Sequence, residues 1–164
     1  AVSREGKHLW ISRSLPVQAQ FQIDAKVLHA FVGAAIISAP LTAMYWFAFS
    51  PPWWHLLLAL ILGNLASLAP QFLGLLFDMC RPLLAWTNPQ HAVKNNLNVL
   101  IPLAVATPLF YLSFLIVKFA IKQNVGATSL ILLLAIFHTL AGIISYYLTK
   151  RAAPTLYNRM GQKD

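Results

Sequence analysis

Acidic side chains are scarce in this sequence: Glu5, Asp24, Asp78 and Asp164 are the only four among 164 residues. None falls inside a long apolar run, so a carboxylate relay for protons through a bilayer has no residues to use. Cysteine is scarcer still. Cys80 stands alone, which excludes an internal disulfide and leaves a Cys-based metal or redox site without its second ligand. It reads as a small residue at a helix end. The sequence also lacks a GxxxxGK[ST] loop to cradle nucleotide phosphates, and it lacks HExxH, CxxC and GxSxG. Neither catalysis nor a cofactor or metal held by this chain is expected. Charge as a whole is thin, at 10% of residues against roughly 25% in an ordinary soluble domain. No internal repeat or low-complexity segment is present.

What is plentiful is apolar surface: 59% of residues are hydrophobic. They gather in four runs, at 27–49, 56–77, 99–117 and 129–148, each close to or above the ~20 residues a helix needs to cross hydrocarbon. The second run, LLLALILGNLASLAPQFLGLLF, carries no charge and is the element around which the chain is organised. Lipid cannot hydrogen-bond a backbone, so such runs must be helical. The expected fold class is all-α: a polytopic membrane protein with four transmembrane helices and an N-terminal amphipathic cytoplasmic segment. Residues 1–26 form that segment, 27–149 the membrane domain with a loop at 78–98, and 150–164 a polar, basic tail.

The net charge of +8 invites a nucleic-acid reading, but the positions oppose it. Arg4, Lys7, Arg13, Lys26, Arg81, Lys94, Lys150, Arg151, Arg159 and Lys163 all lie in the two ends and the middle loop. The two opposite connectors hold only Lys118 and Lys122. The positive-inside rule therefore puts both termini and the 78–98 loop in the cytoplasm of a multi-pass protein of the cell membrane. In the opposite connector SPPWWH, two prolines stop a helix and Trp53 and Trp54 suit the headgroup level.

Few polar groups lie within the runs. His29, Asn64, Gln71 and His138 could line an intramembrane polar path, or each could bond a neighbouring helix, a contact of about 0.6–2 kcal/mol. Asn64 and Gln71 are two turns apart and share a helix face. Pro40, Pro70, Pro102 and Pro108 each kink a helix or free a carbonyl. Ahead of the runs, Ser3 is placed to cap a short helix with Glu5 in its first turn, and Leu9, Trp10 and Ile11 make an apolar patch that Pro16 ends. This is the composition of an interfacial helix rather than a loose basic tail. In the middle loop, Trp86 is an aromatic anchor, Asn88 is a good N-cap, and Pro89 suits a first helical position, so a helix is predicted to start there.

Two stretches carry a resemblance. RPLLAWTNPQHAVKNNLNVLI, residues 81–101, is similar to a segment of bacterial ABC-transporter permeases of the export type, roughly (D)xxxPKLxWTNxQEAVKQNxNV. SREGKHLWISRSLPV, residues 3–17, resembles SREGKxxWxxKxLPV of the same permeases. The resemblance implies a permease subunit coupled to a separate ATPase subunit that binds the ATP. It also implies a second permease half or a second copy as partner. On it, Glu5, Gly6, Trp10 and Pro16 are the ATPase-coupling candidates, and Trp86, Asn88, Gln90, Lys94 and Asn98 form the cytoplasmic loop motif. It further implies that these residues are the C-terminal two-thirds of a six-span unit. There are departures: Leu83 stands where a basic residue is usual, His91 where an acidic one is, and Arg13 where a lysine is. The connector at 118–128 is short for an exporter. A four-span scaffold or assembly factor with no transport role is the alternative.

Overall fold

The apolar runs become long helices because nothing else satisfies a backbone in lipid. The structure, a computed structural model, describes residues 2–84, 98 and 100–160. Two single-turn 3₁₀ helices, Val2–Arg4 and Gly6–His8, lead into α1 (Leu9–Ser14). Four long helices follow: α2 (Ala19–Phe49), α3 (Trp53–Cys80), α4 (Leu100–Lys122) and α5 (Ala127–Arg159). No strand occurs among the described residues. All four long helices are long and apolar enough to span a bilayer, so this is a multi-pass membrane protein. The helices run through Pro40, Pro70 and Pro108, as membrane helices tolerate.

Two turns reverse the chain at one end of the bundle. Ser50 takes a left-handed conformation (φ 44°) and donates its N–H to the Trp46 carbonyl at 2.8 Å; Pro51 and Pro52 then prevent the helix from continuing. After α4, Asn124 (φ 51°) donates to Ile121 O at 3.1 Å and Val125 to Ala120 O at 2.9 Å, the paired bonds of a Schellman motif with Asn in the left-handed position. Both described chain ends meet at the opposite end, called here the terminal end.

α3 is central and packs against α2, α4 and α5, whereas α4 touches α5 only lightly. Two close approaches need glycine. A Cβ at Gly74 would lie 2.6 Å from Pro102 Cγ of α4, and one at Gly142 would lie 3.2 Å from Leu68 Cβ. The outer faces are broadly apolar and exposed, including Phe47 at 80% and Phe110 at 78%. Lipid is as apolar as these side chains and gives them no reason to turn inward. The buried core sits instead at the terminal end. There Val2 and Leu9 pack among Ile23 of α2, Leu75 and Met79 of α3, and Ala153 and Tyr157 of α5.

The helices outrun the apolar runs that predicted them. The segment read as a polar tail is helical to Arg159, and residues 19–26 form the first turns of α2. The reason is a stripe four residues apart, Ser145, Thr149, Ala153 and Tyr157, all buried against the rest of the terminal end. Tertiary packing holds helix there although the composition is polar. The expected helix from Pro89 lies outside the described residues.

Candidate functional site

The terminal end is built on a knot of hydrogen bonds around one carboxylate. Asp78, in the last turn of α3, is only 3% exposed. Its Oδ2 accepts the Ser3 N–H at 2.9 Å, and its Oδ1 accepts the Ser3 hydroxyl and, at 3.2 Å, the Asn98 side-chain amide. The Ser3 oxygen in turn accepts the Leu83 N–H at 3.0 Å, and the Asn98 amide also donates to Arg81 O at 2.7 Å. Among the described residues the buried carboxylate is met by hydrogen bonds rather than by a cation, and these fix its orientation. Ser3 is therefore not the helix cap that its position suggests. It is 1% exposed and spends both its donors on α3.

A second tie fixes the same segment to α2. Glu5 forms an ion pair with Lys26, with side-chain exposures of 24% and 15%. Between them Gly6 takes φ 49°, a left-handed conformation that disfavours any side chain. The chain then enters α1, where Leu9 turns into the core while Trp10 (66% exposed) and Ile11 (46%) face outward. The Ser14 hydroxyl donates to Ile11 O at 2.9 Å as α1 ends. Pro16 sits at the centre of a three-residue turn closed by the Val17 N–H to Leu15 O at 2.7 Å, a geometry its fixed φ favours. Gln22 completes the frame: its amide nitrogen donates to Val17 O at 3.3 Å and its oxygen accepts the Tyr157 hydroxyl of α5 at 2.6 Å.

So the structure joins two stretches that are far apart in sequence, 3–17 and 78–98, at Ser3, Asp78 and Asn98. It gives Glu5 a partner in Lys26 and leaves Trp10 presented on the surface. Trp86, Asn88, Gln90 and Lys94 lie outside the described residues. Sequence reasoning passed over Ser3 as a partner, and over Gln22 and Tyr157 altogether. The available signal was Asp78 itself, a lone carboxylate at the end of an apolar run, where an unmatched charge is costly.

The four intramembrane polar residues do not converge. Asn64 donates to Ser38 of α2 at 3.2 Å and to Leu60 O at 2.8 Å. Gln71 donates to Ser67 Oγ at 2.9 Å, and that hydroxyl donates to Asn64 O at 2.7 Å, so these residues share one face of α3. His138 is buried and lies 3.0 Å from Ser113 of α4 through Nε2. His29 is exposed on α2. Thr149 adds a further tie between helices, from its hydroxyl to Phe72 O at 3.1 Å. Among the described residues no group of three or more His, Cys, Asp or Glu is placed to hold a metal ion. Compared with known protein families, with curated proteins and with solved structures, the chain matches none.

Proposed function

We propose that this chain is a transmembrane permease subunit of an ATP-driven ABC transporter of the export type, coupled to a separate ATPase subunit at the terminal end. In this reading the membrane is the bacterial inner membrane, both termini are cytoplasmic, and a second permease half or a second copy completes the transporter. The observation that carries the reading is the double tie of the N-terminal segment: Ser3 to Asp78 of α3, and Glu5 to Lys26 of α2. A partner pressing on the outward face of α1 would push two spans at once, because the segment is bonded to one and salt-bridged to the other. That is a rigid-body linkage from a surface contact to the membrane helices. Trp10 is the surface anchor of that contact, and Gly6 and Pro16 set the turns on either side of α1.

The test is co-purification. The chain is expressed with its genomic neighbours and extracted in mild detergent. A stoichiometric ATPase subunit is expected, lost on Trp10→Ala and weakened on Glu5→Ala. A stable protein with no ATPase attached would overturn the proposal and favour a scaffold or assembly factor.

A further inference from the structure

An apolar groove of about 590 Å³ runs along the outside of α2 and α3. α2 contributes Leu28, Phe31 and Ala35, and α3 contributes Leu60, Leu68 and Phe72. Asn64 reaches it too, but its amide is turned to Ser38 and the Leu60 carbonyl, so the wall stays apolar. From Asp24 at the terminal end to Ala35, the groove covers twelve residues of α2, or ~16 Å of helix axis. That is about half of the ~30 Å hydrocarbon thickness, the depth of one leaflet.

Its lining and length point to the occupant. An apolar wall one leaflet deep, with charge at its terminal end, matches a lipid, whose tail is apolar and whose charges sit at one end. The polar mouth decides the headgroup. Asp24 lines the groove and also a narrow gap shared with Thr149 and Lys150. Lys150 donates from Nζ to the hydroxyl of Tyr146, which itself lines the groove, at 2.7 Å. Both charged residues are exposed, and among the described residues they form no ion pair with each other. An anion site and a cation site thus stand side by side at headgroup depth.

We infer that this groove binds a phospholipid with a primary-amine headgroup from the leaflet at the terminal end. One acyl chain lies between α2 and α3, the ammonium is against Asp24 and the phosphate against Lys150. The inference depends on the membrane placement alone and not on coupling to an ATPase.

Native mass spectrometry of the full chain in mild detergent, after exchange into phosphatidylethanolamine, phosphatidylcholine or phosphatidylglycerol of one acyl composition, tests it. The wild type is expected to retain one phosphatidylethanolamine with at least tenfold preference over the other two. Asp24→Asn should abolish the preference over phosphatidylcholine, and Lys150→Gln should weaken retention of all three. Ala35→Trp should displace the lipid by filling the groove. Leu28→Trp, on the exposed rim, blocks the same space with less disturbance of the packing and keeps the test valid if the first variant misfolds. Equal retention of the three lipids by the wild type would overturn the inference. So would retention unchanged by Leu28→Trp, or disulfide capture of a second copy through Leu28→Cys in a Cys80→Ser background. Lipid retention is read whether or not an ATPase co-purifies, so the two proposals fail separately.

Discussion

At the scale of single residues, the question is which polar groups hold the molecule and which are merely accommodated. Asp78 belongs to the first kind. It accepts from the Ser3 N–H, the Ser3 hydroxyl and the Asn98 amide, and hydrogen bonds to a charged group are worth about 1.5–3 kcal/mol each. These are not additive, and Asp78→Ala is expected to cost about 3 kcal/mol in detergent melting and to open the N-terminal segment to protease. Asp78→Asn, which keeps the shape, should cost less; equal losses would show that burial rather than charge matters. Glu5 and Lys26 are partly exposed, between the weak surface pair and the costly buried one. A double-mutant cycle with Glu5→Gln and Lys26→Met should give a coupling of about 1–2 kcal/mol, and a value near zero would remove the tie to α2. Asn64 and Gln71 differ although they share a face. Asn64 reaches across to Ser38, so Asn64→Leu is expected to cost ~0.6–2 kcal/mol. Gln71 bonds only within α3; its Oε1, like Asn64 Oδ1, is buried without a partner among the described residues, so the interhelical bond of Asn64 is what separates the two. Gln71→Leu should therefore be neutral or stabilising by up to ~1 kcal/mol. Melting curves that rank the two variants the other way would contradict this.

At the scale of helices, α3 is the hub, and its contact with α4 depends on a missing side chain. Gly74 lets the Pro102 ring approach to where a Cβ would be 2.6 Å from Cγ. Gly74→Ala should cost about 1–3 kcal/mol through overpacking, and Pro102→Ala, which removes that Cγ, should restore most of the loss. Absence of rescue in the melting of the double variant would mean that the helices meet elsewhere. The same helices show what a sequence can reveal. Four apolar runs announce four spans because lipid leaves the backbone no alternative to helix. Helix ends are another matter: Lys150 and Arg151 made the last segment look like a tail, while the stripe through Thr149, Ala153 and Tyr157 that keeps it helical was diluted by charge. Ser3 looked like a local cap because its true partner lies 75 positions away. The pairing of Glu5 with Lys26 was equally invisible, although both residues had been singled out. Local pattern finds which segments are helical, but the site is made of long-range contacts that periodicity does not encode.

At the scale of the whole molecule, packing is unequally distributed. The spans rely on lipid and on a few interhelical bonds, whereas the terminal end has a buried apolar core and a hydrogen-bonded knot. The proposed coupling uses that end to receive a mechanical push, which requires it to face the compartment that holds ATP. The orientation proposed for it rests on the distribution of basic residues. The terminal end carries Lys26, Arg81, Lys150, Arg151 and Arg159, while the opposite connector region carries only Lys118 and Lys122. Each Lys or Arg near an anionic cytoplasmic leaflet contributes about 1 kcal/mol, and the orientation proposed above places the larger number of them there. In a Cys80→Ser background, Asn124→Cys in the turn between α4 and α5 should react with an impermeant maleimide in intact cells. Ser14→Cys at the end of α1 should react only after permeabilisation. The reverse pattern would put the knot and the Trp10 face outside the cell, where no ATPase of this kind works, and would end the coupling argument whatever the stability of the site.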